Sequence, residues 1–162
     1  MKISILLLFA MMNMQDNWLK YKSDVYKFSL EYPSGWELKD VGTGIAFISP
    51  KENTHDNFQE SVNVIIQEIG NATLDQYTKN TQKQVTTTFG AKATESLTSI
   101  TFLNQPAKEY IYHAEFSGLK YKLRQVWFIK SQKAYLFTYT AEEKEYLNYE
   151  QIAKKIFESF SF

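Results

Sequence analysis

The run from Ala107 to Ala141 restricts the fold more than any other part of the chain. It holds three long segments of alternating side chains, separated only by Ser117-Gly118 and Ser131-Gln132. A period of two marks half-buried strands, and links this short join only antiparallel neighbours. In the first segment Tyr110, Tyr112, Ala114 and Phe116 share one face; in the third, Tyr135, Phe137 and Tyr139 do. The middle segment, Leu119–Lys130, alternates as far as Gln125 and is then apolar on both sides, which predicts burial of its second half. Ser117-Gly118 is a two-residue hairpin loop. It sets Phe116 opposite Leu119, Glu115 opposite Lys120, Ala114 opposite Tyr121 and His113 opposite Lys122, pairing opposite charges across the strands.

The remaining elements fit a sheet covered by helices. Tyr26, Phe28, Leu30 and Tyr32 alternate with polar neighbours, and Pro33-Ser34-Gly35 turns the chain into "WELKDV" as a partner strand, with Trp36 closing that end of the core. Ile45–Ser49 is a third strand, the polar stretch Pro50–Glu60 the longest loop, and Ser61–Ile69 a strand with an apolar centre that suits a place inside the sheet. Thr73 is the N-cap of a helix running to Gly90, expected to fray at Thr86–Thr88. Thr94–Leu103 is a strand ended by a turn at Asn104-Gln105-Pro106. A second helix is expected over Glu142–Ser159, with Tyr146, Tyr149, Ile152, Ala153, Ile156 and Phe157 on one face and Glu142, Glu143 and Glu145 at its N-terminus. The tail "SFSF" is extended. Strands, helix, strands, helix without βαβ alternation predict an α+β fold, an antiparallel β-sheet flanked by helices.

The chain has 162 residues, enough for one domain with its own core, placed at residues 22–162. Lys plus Arg and Asp plus Glu stand at 18 each, so no net field gathers phosphate backbones, and nucleic acid is not expected as a ligand. Lys120, Lys122 and Arg124 alternate with aromatics in "KYKLR", but with Glu115 opposite they read as a solvated sheet face. There is no cysteine, hence no disulfide, thiolate nucleophile or lipid-modified N-terminus. "MKISILLLFAMM" puts one lysine before an apolar run far shorter than the roughly 20 residues that span a bilayer. Residues 1–15 therefore read as a secretory signal peptide, with a secreted or periplasmic location and at most peripheral membrane association. The alternative is a later start at Met11, Met12 or Met14.

No constellation for catalysis emerges. "YPSGW" has Tyr32 where a nucleophile elbow needs glycine, Gly42-Thr43-Gly44 lacks the third glycine of a dinucleotide loop, and no GxxxxGK is present. Glu52, His55 and Asp56 share a loop that would make at best a weak metal or proton site. His113 and Glu115 share a strand face, where an acid and a base can be imagined, though hairpin pairing accounts for them. No catalytic, cofactor-binding or metal-ligating residue is assigned, and no cofactor is expected. The many tyrosines, among them Tyr21, Tyr26, Tyr110, Tyr112, Tyr121, Tyr135, Tyr139, Tyr146 and Tyr149, suit either a binding face or half-buried strands.

"YKFSLEYPSGW", "VNVIIQE" followed by "TLDQYTKNTQKQV", "QPAKEYIY", "QVWFIKSQKAYLFTYTA" and "YEQIAKKIFESFSF" together resemble the PsbP-like family. Its fold is shared with the Mog family of Ran-binding proteins and the DcrB-like bacterial envelope proteins. The resemblance implies an α/β/α sandwich around an antiparallel sheet, no enzyme activity, and an accessory or binding role, often after export. It transfers no metal-binding residues. Two functions follow as expectations: docking onto a protein partner or envelope complex through a sheet face or the Glu52–Phe58 loop, or carriage of an apolar small ligand or lipid between the sheet and the C-terminal helix, lined by Tyr146, Tyr149 and Trp127.

Overall fold

The computed structural model describes residues 17–162, and the leader expected over residues 1–15 lies outside the described residues. Strands β1 (Trp18–Ser23) and β2 (Phe28–Pro33) form a two-stranded antiparallel ribbon. Strands β3 (Glu37–Asp40), β4 (Gly44–Ile48), β5 (Ser61–Glu68), β6 (Thr94–Phe102), β7 (Gln105–Phe116), β8 (Leu119–Lys130) and β9 (Lys133–Glu142) form one seven-stranded sheet. Its order is β3-β4-β5-β9-β8-β7-β6, antiparallel throughout. Helix α1 (Leu74–Phe89) covers one face; α2 (Tyr146–Glu158) and the ribbon cover the other. This is the expected α+β architecture.

The alternation along β8 assigns the faces. Val126 and Phe128 belong to the larger core with Phe137, Ile156 and Phe157, whereas Trp127, between them, belongs to a smaller core with Tyr110, Tyr112 and Val85 of α1. The expected register holds pair by pair, from Phe116↔Leu119 to His113↔Lys122. Ser117 and Gly118 take φ 53° and 78°, the two positive values that a tight hairpin needs to match strand twist. β4 and β5 approach so closely that a Cβ on Gly44 would fall inside the carbonyl of Val64. Glycine is required there for space, not for conformation.

Several expectations are corrected. The segment after Pro33-Ser34-Gly35 does not pair with β2: β3 pairs with β4, and β2 pairs with β1, which begins upstream of the start expected at residue 22. The turn, closed by the Trp36 amide donating to Pro33 O at 3.0 Å, carries the chain between layers and sends Trp36 into the core. The β1 pattern is mostly exposed, so its period-two signal is weak. The turn before β7 is Leu103-Asn104, with β7 starting at Gln105 and Pro106 lying outside the β8 ladder, which begins at Ala107. α1 runs unfrayed to Phe89: the Thr86 hydroxyl donates to Lys83 O, the Gly90 amide closes on Thr86 O, and Phe89 stacks on Tyr112. Glu142 is a strand residue, because pairing with Tyr121 and the bond from the Glu143 amide to Lys120 O extend β9 past the expected helix start.

Candidate functional site

The β7–β8 hairpin and the loop between β4 and β5 meet at one end of the sheet. Phe58, near the end of that loop, packs at a tilt against Tyr121 of β8 with ring centroids 4.7 Å apart. Phe58 and Tyr121, with Phe89, Phe116 and Leu123, line an open groove of about 370 Å³. Hairpin geometry makes the groove possible: Phe116 occupies the last position before the turn, beyond the cover of α1, and is 73% exposed. An aromatic that exposed, beside four other large apolar side chains, is a contiguous patch of the kind that marks contact surfaces.

An acidic pocket of about 270 Å³ lies under the same loop, lined by Glu52, Asp56, Glu60, Glu142 and Glu145, with His55 and Lys144 at its edge. Loop polar groups hold its shape. Asp56 accepts the amides of Glu52 (3.1 Å) and Phe58 (3.0 Å), and the Tyr149 phenol donates to Glu52 Oε1 at 2.9 Å. Glu60 is the unusual member: it is 1% exposed, the Ser49 hydroxyl donates to its Oε2 at 3.4 Å, and no side chain or backbone donor reaches Oε1. Burial raises its carboxyl above the ordinary range, the amides of Glu60 and Glu142 act against that, and the charges of Glu52 and Asp56 reinforce it. A cation entering this pocket meets an acceptor already stripped of water. Lys144, paired with Glu142 at 3.1 Å, offsets part of the negative charge.

Glu52, His55 and Asp56 thus come together, but the Asp56 carboxylate is committed to the loop's own amides and that of Glu52 to the Tyr149 phenol of α2. Among the described residues no three His, Asp or Glu side chains gather at metal-ligand spacing. His113 does not pair with Glu115. On the sheet face opposite the groove, its Nε2 is 2.8 Å from Glu95 and its Nδ1 3.4 Å from Glu143, in an open network that includes Lys122. Lys122 and His113 hold the Glu95 carboxyl below its ordinary range. Arg124 is bound to Glu109 at 2.7 Å, so the "KYKLR" cations are largely spent within the sheet. The carrier lining is corrected as well. Trp127 belongs to the α1 face and Tyr146 to the α2 face, where it packs on Tyr139, while Tyr149 packs against Trp36. These three do not enclose a common space.

The sequence singles out the Glu52–Phe58 loop and places Phe116 in the hairpin, but gives neither Phe58 nor Phe116 a site role of its own and gives none to Glu60. Phe116 carried a signal, an aromatic immediately before a hairpin turn where little can cover it. Glu60 carried none. Among the described residues no helix is long and apolar enough to cross a membrane.

The sequence model of the PsbP family matches residues 16–162. Cyanobacterial PsbP (CyanoP) of Synechocystis sp. PCC 6803 has a similar structure, with TM-score 0.63 and 16% identity over 90% of this chain and 92% of that one. LpqN of Mycobacterium tuberculosis, described as involved in cell envelope biogenesis, has TM-score 0.62 and 12% identity over 90% of each chain. The Ran-binding protein Mog1p of Saccharomyces cerevisiae has TM-score 0.59 and 8% identity over 90% of this chain and 95% of that one. At these identities the likeness is one of fold. A sequence comparison with curated proteins gives no match.

Proposed function

Because this chain belongs to the PsbP family, we propose that it is an exported, non-catalytic docking module that binds a protein partner across the groove and acidic pocket at the β7–β8 end of its sheet. The observation that carries the reading is the exposed ring of Phe116 beside the Phe58–Tyr121 pair, next to a pocket whose most buried carboxylate has one oxygen without a donor. A complementary partner presents an apolar anchor for the groove and a lysine or arginine for the pocket, the combination of desolvated aromatic contact and charge pairing that concentrates interface energy. The likeness to Mog1p, a Ran-binding protein, supports a protein-binding use of the fold, and the involvement of LpqN in cell envelope biogenesis, with the leader pattern of residues 1–15, supports export.

The test replaces Phe116 with a photo-crosslinking amino acid in cells that naturally produce the protein, with Leu147, 76% exposed on α2, as the control position. The reading expects a discrete adduct from position 116 that is lost with Glu60→Gln, and whose partner peptide contains a lysine or arginine. No adduct, or the same adducts from both positions, counts against it.

A further inference from the structure

A larger cavity lies elsewhere. α1 leans over the β7 side of its face, and between the helix and the β5–β9 side is a space of about 590 Å³, within the roughly 300–1,000 Å³ of small-molecule sites. No charged side chain lines it. Its polar groups are amides and hydroxyls, Gln67 and Gln125 from the sheet and Asn80 and Gln84 from α1, and Tyr77 and Tyr112 give it aromatic walls.

One acceptor on its floor is left over. Gln125 Nε2 donates to Thr138 Oγ1 at 3.3 Å, while Gln125 Oε1 is buried with no protein donor. Thr138 stands opposite Asn63 on β5, and Asn63 Oδ1 is likewise buried without a donor. A buried acceptor left unpaired costs about 1–3 kcal/mol, so this polar row across β8, β9 and β5, of which Gln125 lines the cavity, is a poor choice for a core layer. The phenol of Tyr77, held by Gln67 Oε1 at 2.6 Å, is pushed up to about 12 by burial, as is that of Tyr112, so both stay neutral near pH 7.

The lining selects among ligand classes. A phosphate, carboxylate or ammonium compound finds no countercharge, and a lipid chain would leave the amide oxygens unpaired. A neutral compound with hydroxyls at its rim and C–H groups on its faces satisfies both the amides and the rings. We propose that the α1 cavity binds a neutral saccharide, with a sugar hydroxyl meeting the Gln125 side chain on the cavity floor, the amides of Gln67, Asn80 and Gln84 holding its rim, and Tyr77 against its C–H face.

The test is an NMR titration of the uniformly ¹⁵N-labelled full chain with glucose, maltose, cellobiose and N,N′-diacetylchitobiose, alongside glucuronate and laurate. At least one neutral sugar is expected to give saturable shifts of the Gln125 and Gln84 side-chain amides. Gln125→Leu and the exposed Gln84→Ala should each weaken that binding about tenfold. Tighter binding of the disaccharides points to a glycan as the source, and equal binding of glucose to a free sugar. The proposal is overturned if no neutral sugar gives a saturable shift up to roughly 50 mM, a limit far weaker than the millimolar range of weak specific binding, or if glucuronate or laurate shifts these amides and no neutral sugar does.

Discussion

The indole N–H of Trp127 donates to Thr78 Oγ1 at 3.2 Å, and this single bond ties α1 to the middle of the sheet inside a buried layer. Thr78 in turn donates to Leu74 O at 2.7 Å. Replacing Thr78 with valine keeps the shape and orphans the indole, which costs about 1–3 kcal/mol. Thr78→Ser should recover most of it. Urea denaturation followed by tryptophan fluorescence checks both, and a loss in Thr78→Ser with none in Thr78→Val would show that the methyl group, not the bond, holds the helix.

Gly44→Ala sets a methyl group against the Val64 carbonyl, where the β4–β5 approach leaves no room for a Cβ. We expect a loss of about 3 kcal/mol, at the upper end of overpacking costs, and faster amide exchange along β3, β4 and β5. Gly35→Ala, with open space at its Cβ position and no positive φ, is the control and should stay within about 0.5 kcal/mol of the parent.

Glu60 makes stability fall with pH. Its carboxyl is raised in the folded state above its ordinary value of 4.5 by burial, so between those two values the folded protein binds more protons than the unfolded chain. Its contribution is therefore most favourable at or below pH 4.5 and is lost as pH rises through the raised value. Glu60→Gln removes that dependence. The variant should be more stable than the parent at pH 7, with the difference shrinking toward pH 4.5, as read from urea midpoints. A variant no more stable at pH 7 than at pH 4.5, relative to the parent, contradicts the assignment.

Glu95 works in the opposite direction. Lys122 and His113 lower its carboxyl, so what it contributes is present above 4.5 and is lost as pH falls through the lowered value. Glu95→Gln should flatten the acid limb of the stability profile without altering the alkaline limb.

Phe116→Ser is expected to change stability by no more than about 0.5 kcal/mol, because the ring is 73% exposed. It should nonetheless abolish partner binding. The measurement is a denaturation curve beside the crosslinking yield from position 121 in the same variant.

Strong local rules made much of the fold legible in the sequence. Ser117-Gly118 set a register that holds from Phe116 to His113, and Thr73 caps α1 through the reciprocal bonds with Gln76 that an N-cap threonine followed by a glutamine three residues later allows. Where the reading failed, a tertiary choice overrode a local one. The turn after Pro33 is real, but partner selection for β2 was decided by Trp18–Ser23, a strand with too little burial contrast to announce itself. Glu142 looked like a helix start because acidic residues suit that end, yet the ladder with Tyr121 extended the strand. The candidate site was half legible. The Glu52–Phe58 loop was singled out, but the groove arises only when Phe58 folds back on Tyr121, and Glu60 becomes distinctive only through burial, which no spacing encodes.

That the β7–β8 end of the sheet is a docking surface is tested most directly by carbene footprinting of the protein in cells that naturally produce it against the purified chain. Protection of Phe58, Phe116 and Tyr121 is expected in the cells, with Leu147 labelled equally in both. Equal labelling of the three aromatics in both samples, or protection confined to the α2 surface, would contradict it.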